Sequence, residues 1–530
     1  MKFYRAHVLV AKDSRSIVSG AENIEKLLIA EIKKLRLDKE VAVVPTGDLG
    51  YAGEGVSIAV YPEGVVYAPV TAEDVPVIAR EHLLKGKVLK NLAVGVRKAH
   101  SGIGATKSEK VIGIQKKILL KNVGGINPEN IEEYIAADGY QALGKAVSRM
   151  KPQEVLAAVR ASELRGRGGA GYPTGMKWES AAGEPAGEKY IICNADEGEP
   201  GTFKDREIME GDPHLLVEGT AIAGYAVGAS KGYIYIRGEY GISIRRLQKA
   251  IDDAAAYGLL GKNILGSGFD FDIEIKKGAG AYICGEESAL IESIEGKRGE
   301  PRKKPPYPTK AGLWGKPTVI NNVETLANVP AIIENGAEWY KSIGVPGSRG
   351  TKLFSLMGDI NWKGVIEIPF GTRLADIITG IGGGVKGGKK LKGVILGGVS
   401  GFLIRPEETD VKVDFDSLAR IEAGPGSGSI IVLDETRSIV DIMRNIMYFF
   451  RHESCGKCTP CRVGVEQIYS ILDYIFSCEG IDSDMKTLED IGRNMALTSF
   501  CPLGQTAPNI MMQSLKKYGA EWQEYIARKK

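Results

Sequence analysis

The sequence predicts a multidomain α/β protein whose last part is a bundle of helices. Its 530 residues exceed what one hydrophobic core usually organises, so we expect three or four domains. Segments with the periodicity of strands and of helices alternate up to residue 435, which is typical of layered α/β domains. Residues 436–530 instead carry apolar residues at helical spacing and have almost no strand pattern.

Residues 1–105 predict a small α/β domain, and the charged residues within 106–126 predict a linker. The expected elements of the first domain are strand 5–10, helix 21–36, strands 40–45 and 56–60, and helix 73–84.

Residues 127–345 predict a Rossmann-like domain in which helices cover a largely parallel sheet. Its expected elements are helix 151–164, strand 189–194, helix 213–228, strand 231–237, helix 241–257, strand 269–277 and helix 286–295. Residues 346–435 are rich in strand patterns around one helix at 373–380, which predicts a β-grasp-like, or ubiquitin-like, domain. Residues 436–530 form the expected C-terminal helical bundle.

Charge and hydropathy exclude two classes of partner. The 69 Lys and Arg residues nearly balance 66 Asp and Glu residues, so no basic field is present to recruit nucleic acid. No apolar run reaches the roughly 20 residues of a membrane span, and the first residues lack the apolar segment of a signal peptide. We therefore expect a cytoplasmic protein that does not insert directly into a membrane.

Four of the seven cysteines fall in two short segments near the C-terminus. Cys455, Cys458 and Cys461 follow one another at three-residue intervals in ESCGKCTPC, and Cys501 lies forty residues further on in SFCPLG. One tight turn can hold three corners of a cube of iron and sulfide while a remote loop holds the fourth, so the pattern favours a 4Fe-4S cluster. A zinc site that uses His452, and four unrelated core cysteines, are the two alternatives.

A first glycine-rich loop, LRGRGGAGYPTGMKW, contains the spacing G-x-G-x-x-G from Gly166. A predicted helix precedes it and Pro173 interrupts any helix within it, so it does not meet the context of a dinucleotide-binding fingerprint. Its exposed amides, together with Arg167 and Lys177, could still hold a phosphate. An ordinary turn is the alternative for any single glycine loop.

A second glycine loop, GAGAYICGEES at 278–288, follows a predicted strand and opens a predicted helix. Gly280 and Gly285 would let a planar ring or a phosphate lie against the backbone, and the helix N-terminus attracts negative charge. This context predicts a nucleotide site.

Polar and aromatic side chains flank both loops. No His or Ser nucleophile accompanies the acids, so we expect them to bond flavin N–H groups, ribose hydroxyls or an amide rather than to act as acid and base. An acid beside the adenosine ribose would also favour NAD over NADP. The flanking side chains are the acids Asp196, Glu197, Glu199, Glu286 and Glu287, the stacking candidates Tyr172, Tyr282 and Tyr307, and the polar group Asn321, Asn322 and Thr325.

Long motifs across residues 130–530 resemble one family, the NADH-binding flavoprotein subunit of respiratory complex I and the diaphorase subunits of NAD-linked and electron-bifurcating hydrogenases and formate dehydrogenases. The motifs that carry the resemblance are RGRGGAGYPTGMKW, CNADEGEPGTFKDRE, GAGAYICGEESALIESIEGKRGEPR, KPPYP, GLWGKPTVINNVET, ESCGKCTPCRVG and SFCPLG. The resemblance implies FMN, NAD(H) and one 4Fe-4S cluster as cofactors.

By motif position, the resemblance also implies which residues meet each cofactor. The FMN contacts would be Gly166, Arg167, Gly168, Lys177, Asn194, Asp196, Glu197, Tyr282, Gly285, Glu286, Val319, Asn321, Asn322 and Thr325. The NADH contacts would be Ala170, Tyr172, Glu199, Glu287, Lys304 and Tyr307, and the cluster ligands Cys455, Cys458, Cys461 and Cys501.

The first hundred residues resemble the thioredoxin-like 2Fe-2S domain that is fused to hydrogenase-type subunits. The four cysteines of that domain would fall at Ala11, Ser16, Asp48 and Ala52. We therefore expect a thioredoxin-like domain that folds without a cluster.

The resemblance implies an NADH oxidoreductase in which hydride passes between NAD(H) and FMN, assisted by Glu197 and Glu286 and with no acid or base catalyst. Single electrons would then leave through the 4Fe-4S cluster to iron–sulfur partner subunits: a 2Fe-2S thioredoxin-like subunit, and a hydrogenase or another catalytic subunit. The hydrogenase-like N-terminus favours an electron-bifurcating complex. A plain diaphorase of the complex I or formate dehydrogenase type is the alternative, and a zinc-stabilised scaffold a remote one.

Overall fold

Three sheets of four or five strands, one two-stranded sheet and a terminal set of helices organise the computed structural model, which describes residues 4–50, 55–96, 114–185 and 187–527. The predicted succession of α/β units followed by helices is therefore present. No helix in these ranges is both long and apolar enough to cross a membrane.

The first sheet has the strand order β2-β1-β3-β4-β5, with β1 and β2 parallel and the other pairs antiparallel. Ile24, Leu28 and Ile32 recur at four-residue steps along α2 and are buried against this sheet, as the periodicity predicts. Strands β4 and β5 were not predicted. The elements are β1 Ala6–Ala11, α1 Ser14–Val18, α2 Ala21–Lys34, β2 Val41–Thr46, β3 Val56–Tyr61, β4 Val65–Val70, α3 Asp74–Val77 with a π-helical continuation Ile78–Leu84, and β5 Ala93–Val96.

The predicted linker is only partly described, since residues 106–113 lie outside the described ranges. Beyond them, Ile118, Leu119 and Leu120 are buried, and the carboxylate of Glu367 accepts hydrogen bonds from all three of their backbone N–H groups. This part of the segment therefore belongs to the core rather than spanning solvent.

The second sheet has the order β8-β7-β6-β9, and all of its pairs are parallel, as predicted. Successive strands run from β6 out to β8, and the chain then returns to place β9 on the other side of β6. The strand order thus reverses between β6 and β9, and such a switch point leaves a crevice at the carboxyl ends of parallel strands. The strands are β6 Tyr190–Ala195, β7 Lys231–Arg237, β8 Asp272–Gly278 and β9 Thr318–Asn322.

Helices cover this second sheet, and α9 is buried along nearly its whole length. Strand β9 and helices α4, α5, α7, α8, α12, α13 and α14 were not predicted. The helices are α4 Ile131–Ala136, α5 Gln141–Arg149, α6 Pro152–Ala161, α7 Thr174–Ala182, α8 Lys204–Gly211, α9 Pro213–Val227, α10 Gly241–Ala256, α11 Glu287–Ile294, α12 Pro308–Ala311, α13 Val323–Asn335 and α14 Ala337–Lys341.

The third sheet has the order β13-β12-β16-β14-β15. Its first and last long strands, β12 and β16, are parallel neighbours at its centre, while the other pairs are antiparallel. The elements are the short pair β10 Gly344–Val345 and β11 Ser348–Arg349, then β12 Thr351–Gly358, β13 Gly364–Pro369, α15 Leu374–Asp376 with a π-helical continuation Ile377–Ile381, β14 Leu391–Leu396, β15 Phe402–Ile404, α16 Phe415–Ala419 and β16 Ser429–Asp434.

Helices make up the regular structure of the last hundred residues, as predicted. Their apolar faces share one core with a face of the second sheet, so this bundle closes over the crevice side of that sheet. The helices are α17 Ile439–Glu453, α18 Thr459–Phe476, α19 Asp482–Thr498, α20 Pro502–Thr506, α21 Asn509–Lys517 and α22 Gly519–Ala527.

Candidate functional site

A cavity of about 1020 Å³ opens at the carboxyl ends of β6 and β9, where the strand order reverses. Its volume lies at the upper end of the range for small-molecule and cofactor sites. Most of the residues predicted to bind cofactors line it: Gly168, Ala170, Tyr172, Lys177, Asn194, Asp196, Glu197, Glu199, Tyr282, Gly285, Glu286, Glu287, Lys304, Tyr307 and Asn322.

Three predicted contacts in the first glycine loop and in α13 lie outside the cavity lining: Gly166, Arg167 and Thr325. The Thr325 hydroxyl accepts the backbone N–H of Arg167. The Arg167 guanidinium is buried and donates to the backbone carbonyls of Arg165, Arg349 and Thr351 and to the Tyr340 hydroxyl. This side chain ties the loop to residues 349–351, and its contact with FMN stays a prediction.

Two predicted contacts on β9, Val319 and Asn321, also lie outside the cavity lining. Side chains alternate along a strand, and it is Ile320 and Asn322 that face the cavity. Val319 packs in the helical core, and Asn321 accepts the indole N–H of Trp178 at 2.7 Å.

Asp196 lines the cavity and carries a buried oxygen, Oδ2, without a hydrogen-bond partner among the described residues. Burial raises the pKa of Asp196 to about 7, with Arg237 opposing the shift and Glu239 and Glu453 adding to it. A buried acceptor without a donor requires an explanation, and a ring N–H of a bound cofactor would satisfy it.

We expect Asp196→Asn to stabilise the cofactor-free protein at pH 8, by about 5 °C in Tm, and to have little effect below pH 4. A carboxyl whose pKa is raised in the folded state costs stability as pH rises from its unfolded pKa near 4 to about 7, and that cost persists above pH 7. Thermal unfolding at both pH values measures it, with the exposed Asp252→Asn as the control. Equal shifts at the two pH values would contradict the assignment.

Glu197 anchors the start of α8. Its carboxylate accepts the backbone N–H groups of Asp205 and Arg206 at 2.8 and 3.1 Å and the Tyr240 hydroxyl at 3.1 Å. Burial raises the pKa of Glu197 to about 7, and the neighbouring Asp205 adds to the shift. Both carboxylate oxygens thus accept hydrogen bonds from the protein. We therefore expect Glu197 to assist hydride transfer by fixing the start of α8 rather than by bonding the flavin directly.

The sequence analysis missed Lys204 and Asp205, which both line the cavity. The buried Lys204 ammonium lies 2.6 Å from the Asp205 carboxylate and 2.9 Å from that of Glu324. Asp205 in turn accepts the side-chain amide of Asn322 at 2.6 Å. Lys204 lies at the start of a helix that was not predicted. Its only signal in the sequence is its place in the motif CNADEGEPGTFKDRE.

Two ion pairs order the second glycine loop. Lys304 Nζ lies 2.7 Å from Glu286 Oε1, and Lys177 is paired with Glu287. Glu286 also caps α11 by accepting the backbone N–H of Ser288. Burial opposes ionisation of Glu286, but its bonds with Lys304 and Ser288 hold its pKa below the usual value. Both acids therefore face the cavity beside a cation.

The third sheet and the helical bundle supply walls that the sequence analysis did not include. The Glu199 carboxylate accepts the backbone N–H of Ser400 at 2.9 Å, and it also bonds the hydroxyls of Ser400 and Ser427. The glycine-rich runs GGVSG and GPGSGS, in which these serines lie, were the available signal. The added wall residues are Gly397, Ser400, Gly401, Phe402, Gly426, Ser427, Pro502, Leu503, Thr506 and Asn509.

Two aromatic rings stand at the mouth of the cavity. Tyr172 and Tyr307 line it and yet are 51% and 59% exposed. Exposed aromatic side chains on a cavity rim are free to stack on a planar ligand.

The four predicted cluster cysteines line one smaller cavity in the C-terminal bundle. Cys455 follows α17, Cys458 precedes α18, Cys461 lies in its first turn and Cys501 precedes α20. Burial and the three neighbouring thiols raise the pKa of Cys461 to about 11. A bound metal would favour the thiolate forms of these four side chains.

The metal-ligating side chains that line this cavity are the four thiols, without His452. Zinc needs its donors within about 2.0–2.3 Å of one point. In the described ranges, no group of three or more His, Cys, Asp or Glu side chains is arranged to hold a single metal ion. His452 is exposed and its Nδ1 bonds the Tyr448 carbonyl, outside the thiol cavity. Four thiols around a shared space fit a cube of iron and sulfide.

The two cavities share a wall. Ile283 and Leu503 line both of them, and Glu453, at the end of α17, accepts the backbone N–H of Tyr282 at 2.8 Å. The second glycine loop therefore separates the large cavity from the thiols.

Comparison with known families agrees with this arrangement. The Nuo51 FMN-binding domain matches residues 159–331, and the NADH-ubiquinone oxidoreductase-F iron-sulfur binding region matches residues 441–525. An NADH-quinone oxidoreductase subunit of Aquifex aeolicus is 50% identical over 77% of this chain and 94% of its own length. The chain belongs to the NADH-quinone oxidoreductase-F family. It is thus an oxidoreductase with FMN, a 4Fe-4S cluster and NAD(H) as cofactors, as predicted.

Hydrogenase proteins are also similar to this chain. The NADP-reducing hydrogenase subunit HndC of Solidesulfovibrio fructosivorans is 50% identical over 81% of this chain and 86% of its own length. The crystal structure of an NAD⁺-reducing nickel–iron hydrogenase in the H₂-reduced state matches with a TM-score of 0.70 and 31% identity, over 99% of this chain and 84% of that one. The mixed α/β multidomain fold with a helical C-terminal region is confirmed by this match.

Proposed function

We propose that the chain is the NADH-oxidising subunit of an electron-bifurcating hydrogenase, or a related oxidoreductase, that links NAD to ferredoxin. It would exchange hydride between NAD(H) and FMN and send single electrons through its 4Fe-4S cluster to partner subunits. The observation that carries the proposal is the wall of Ile283 and Leu503 shared by the large cavity and the thiol cavity. Groups held on the two sides of one side-chain layer lie within reach of electron transfer.

The large cavity offers separate regions to the two nucleotides. When bound, FMN supplies a ring that takes up electrons in pairs and releases them singly. We assign Asp196 to accept a ring N–H, because it lines the cavity and carries a buried oxygen with no hydrogen-bond partner among the described residues. Tyr172 and Tyr307 at the mouth would stack on NADH, and Lys304 and Glu287 would bond its polar groups.

We also propose a fold for each domain. The central parallel pair in the third sheet, with strand order 2-1-5-3-4 counted from β12, supports the β-grasp-like assignment for residues 346–435. Residues 127–345 would be the Rossmann-like FMN and NADH domain, and 436–530 the 4Fe-4S domain. Residues 1–105 would be thioredoxin-like without a cluster, because Ala11, Ser16 and Asp48 supply no thiol. Ala52 lies outside the described residues.

The hydrogenase relatives support this proposal over a plain complex I-type subunit in one respect. The structural match to the hydrogenase covers 99% of this chain, and the sequence matches to HndC and to the Aquifex quinone oxidoreductase cover 81% and 77%. A 2Fe-2S thioredoxin-like subunit and a hydrogenase or other catalytic subunit are the expected partners. The plain diaphorase of a complex I or formate dehydrogenase type stays the second candidate, supported by the equal identity to the Aquifex protein.

The deciding experiment uses the complex that copurifies with the chain under anaerobic conditions. FMN, iron and sulfide are first quantified, and ferredoxin reduction by NADH is then measured with and without a second, higher-potential acceptor. Ferredoxin reduction that requires the second acceptor supports bifurcation. Reduction without it supports the plain diaphorase, and protein that lacks both flavin and iron refutes either.

We expect Glu287→Gln to raise the KM for NADH about tenfold and to leave flavin absorbance unchanged. The carboxylate lies beside the cavity and is paired with Lys177, so its loss removes a charged bond of roughly 1.5–3 kcal/mol to the nucleotide region. Steady-state kinetics with an artificial dye measures it, with the exposed Glu334→Gln as the control. Loss of flavin together with NADH binding would refute the division of the cavity.

A further inference from the structure

Two acidic residues of helix α8 form bonds with residues of the N-terminal domain. Arg15 Nη2 lies 3.4 Å from Glu207 Oε2. Ser14 donates its backbone N–H to Glu210 Oε2 at 2.8 Å, and its hydroxyl also bonds Glu210. Glu207 and Glu210 are buried and lie one turn apart, so one face of α8 is held by the start of α1.

Arg15 is itself held from the side of the N-terminal domain. Asp13 caps α1 and accepts Arg15 Nε at 3.3 Å, and Asp48 accepts Arg15 Nη2 at 2.9 Å. Ser16 donates its hydroxyl to Asp13 at 2.6 Å. Ser16 and Asp48 are two of the positions where the resembling domain would carry cluster cysteines. Charged and polar side chains that bond one another therefore occupy two of the positions that the cluster ligands would take.

Other contacts close the same interface tightly. Arg246 Nη2 bonds the Lys12 carbonyl at 2.9 Å, and the Thr46 hydroxyl donates to the Ile126 carbonyl at 2.8 Å. A Cβ atom at Gly47 would come within 2.8 Å of the Gly211 backbone. The N-terminal domain is thus seated against the end of α8.

The first turn of α8 faces the large cavity. Lys204 and Asp205 line that cavity, and Glu197 accepts the backbone N–H of Asp205. The helix has only eight residues, and Lys204 precedes Glu207 by three. A shift of the Glu207 end therefore moves the cavity end of the same short helix.

We propose that the N-terminal domain is a brace for the FMN site, and that Arg15 is the positioning residue through which it acts. Arg15 holds Glu207, and the rigid α8 carries that restraint to Lys204 and Glu197. The inference rests on the proposed function, since it takes the large cavity to be the FMN site. It gives the cluster-free domain a task that needs no electron transfer.

The test compares Arg15→Met with Arg80→Met, which changes an exposed arginine of the same domain. FMN is titrated into the apo form of each full-length protein, and flavin fluorescence quenching gives the Kd. We expect Arg15→Met to weaken FMN binding about tenfold and to change the visible circular dichroism of the bound flavin. Iron content should stay at the wild-type level, and Arg15→Lys should restore part of the affinity.

Hydrogen exchange provides a second readout. The amides of α8 should exchange faster in Arg15→Met and in Ser14→Ala, while those of α18 in the C-terminal bundle keep their rates. Wild-type protein that binds no FMN would refute the proposed function and the brace together. Wild-type protein that binds FMN, beside a folded Arg15→Met with the same Kd and the same α8 exchange, would refute the brace alone.

Discussion

Replacing Cys501 with alanine is expected to remove the iron–sulfur cluster and to leave the reduction of two-electron dyes by NADH within about twofold of the wild-type rate. Cys501 supplies the one thiol of the cavity that comes from outside the 455–461 segment. It is 7% exposed, and the three further cysteines of the described ranges, Cys193, Cys284 and Cys478, do not line this cavity. Iron should fall from about four atoms per chain toward zero.

Cys478→Ala is the matched control for this prediction. Cys478 is also in the helical region but lies outside the thiol cavity, at the end of α18. Its replacement should preserve iron, sulfide and electron transfer to the partner subunits. Unchanged iron in Cys501→Ala, or an equal loss in both variants, would reject Cys501 as a ligand. Loss of dye reduction would show that the two cavities are not functionally separate.

Sequence periodicity predicted the strands and helices in which apolar residues recur at the spacing of one type of element. The strands β6, β7 and β8 and the helices α9, α10 and α11 lie where the alternation of strand and helix patterns placed them. The thiol cavity was also predictable, because three of its cysteines are spaced within one turn of chain. These features depend on residues that are close to one another in the chain, so a single sequence is enough to predict them.

Features that depend on distant contacts escaped the sequence. Motif position assigned Arg167 to an FMN contact, and no local pattern indicated that its guanidinium bonds the carbonyls of Arg349 and Thr351. Val319 and Asn321 were assigned to the cavity, although the pleat of β9 turns them away from it. Ser400 and Ser427 reach Glu199 across more than two hundred residues of chain. No local pattern predicts which side chains meet across domains.

The least predictable feature is a pair of buried lysines that share one carboxylate. Lys204 and Lys352 lie 2.9 and 2.6 Å from Glu324 Oε2, and they are 1% and 2% exposed. Burial opposes the charge of Lys204, but Asp205 and Glu324 raise its pKa above the ordinary value. For Lys352, burial outweighs Glu324 and, with the charge of Lys204, lowers the pKa to about 7. The two amines thus differ in charge near neutrality.

Lys204→Met is therefore expected to lower the free energy of unfolding by about 3–5 kcal/mol at pH 7, because Asp205 and Glu324 lose the cation that compensates their buried charge. Lys352→Met should cost less, since burial lowers the pKa of this amine to about 7 and only about half of these amines are charged at pH 7. Denaturant unfolding of the cofactor-free chains measures both, with the exposed Lys316→Met as the baseline. The FMN affinity of Lys204→Met should fall as well, because Lys204 lines the cavity and Lys352 does not. Equal losses in the two lysine variants would mean that both carry full charge, and the division of roles around Glu324 would be wrong.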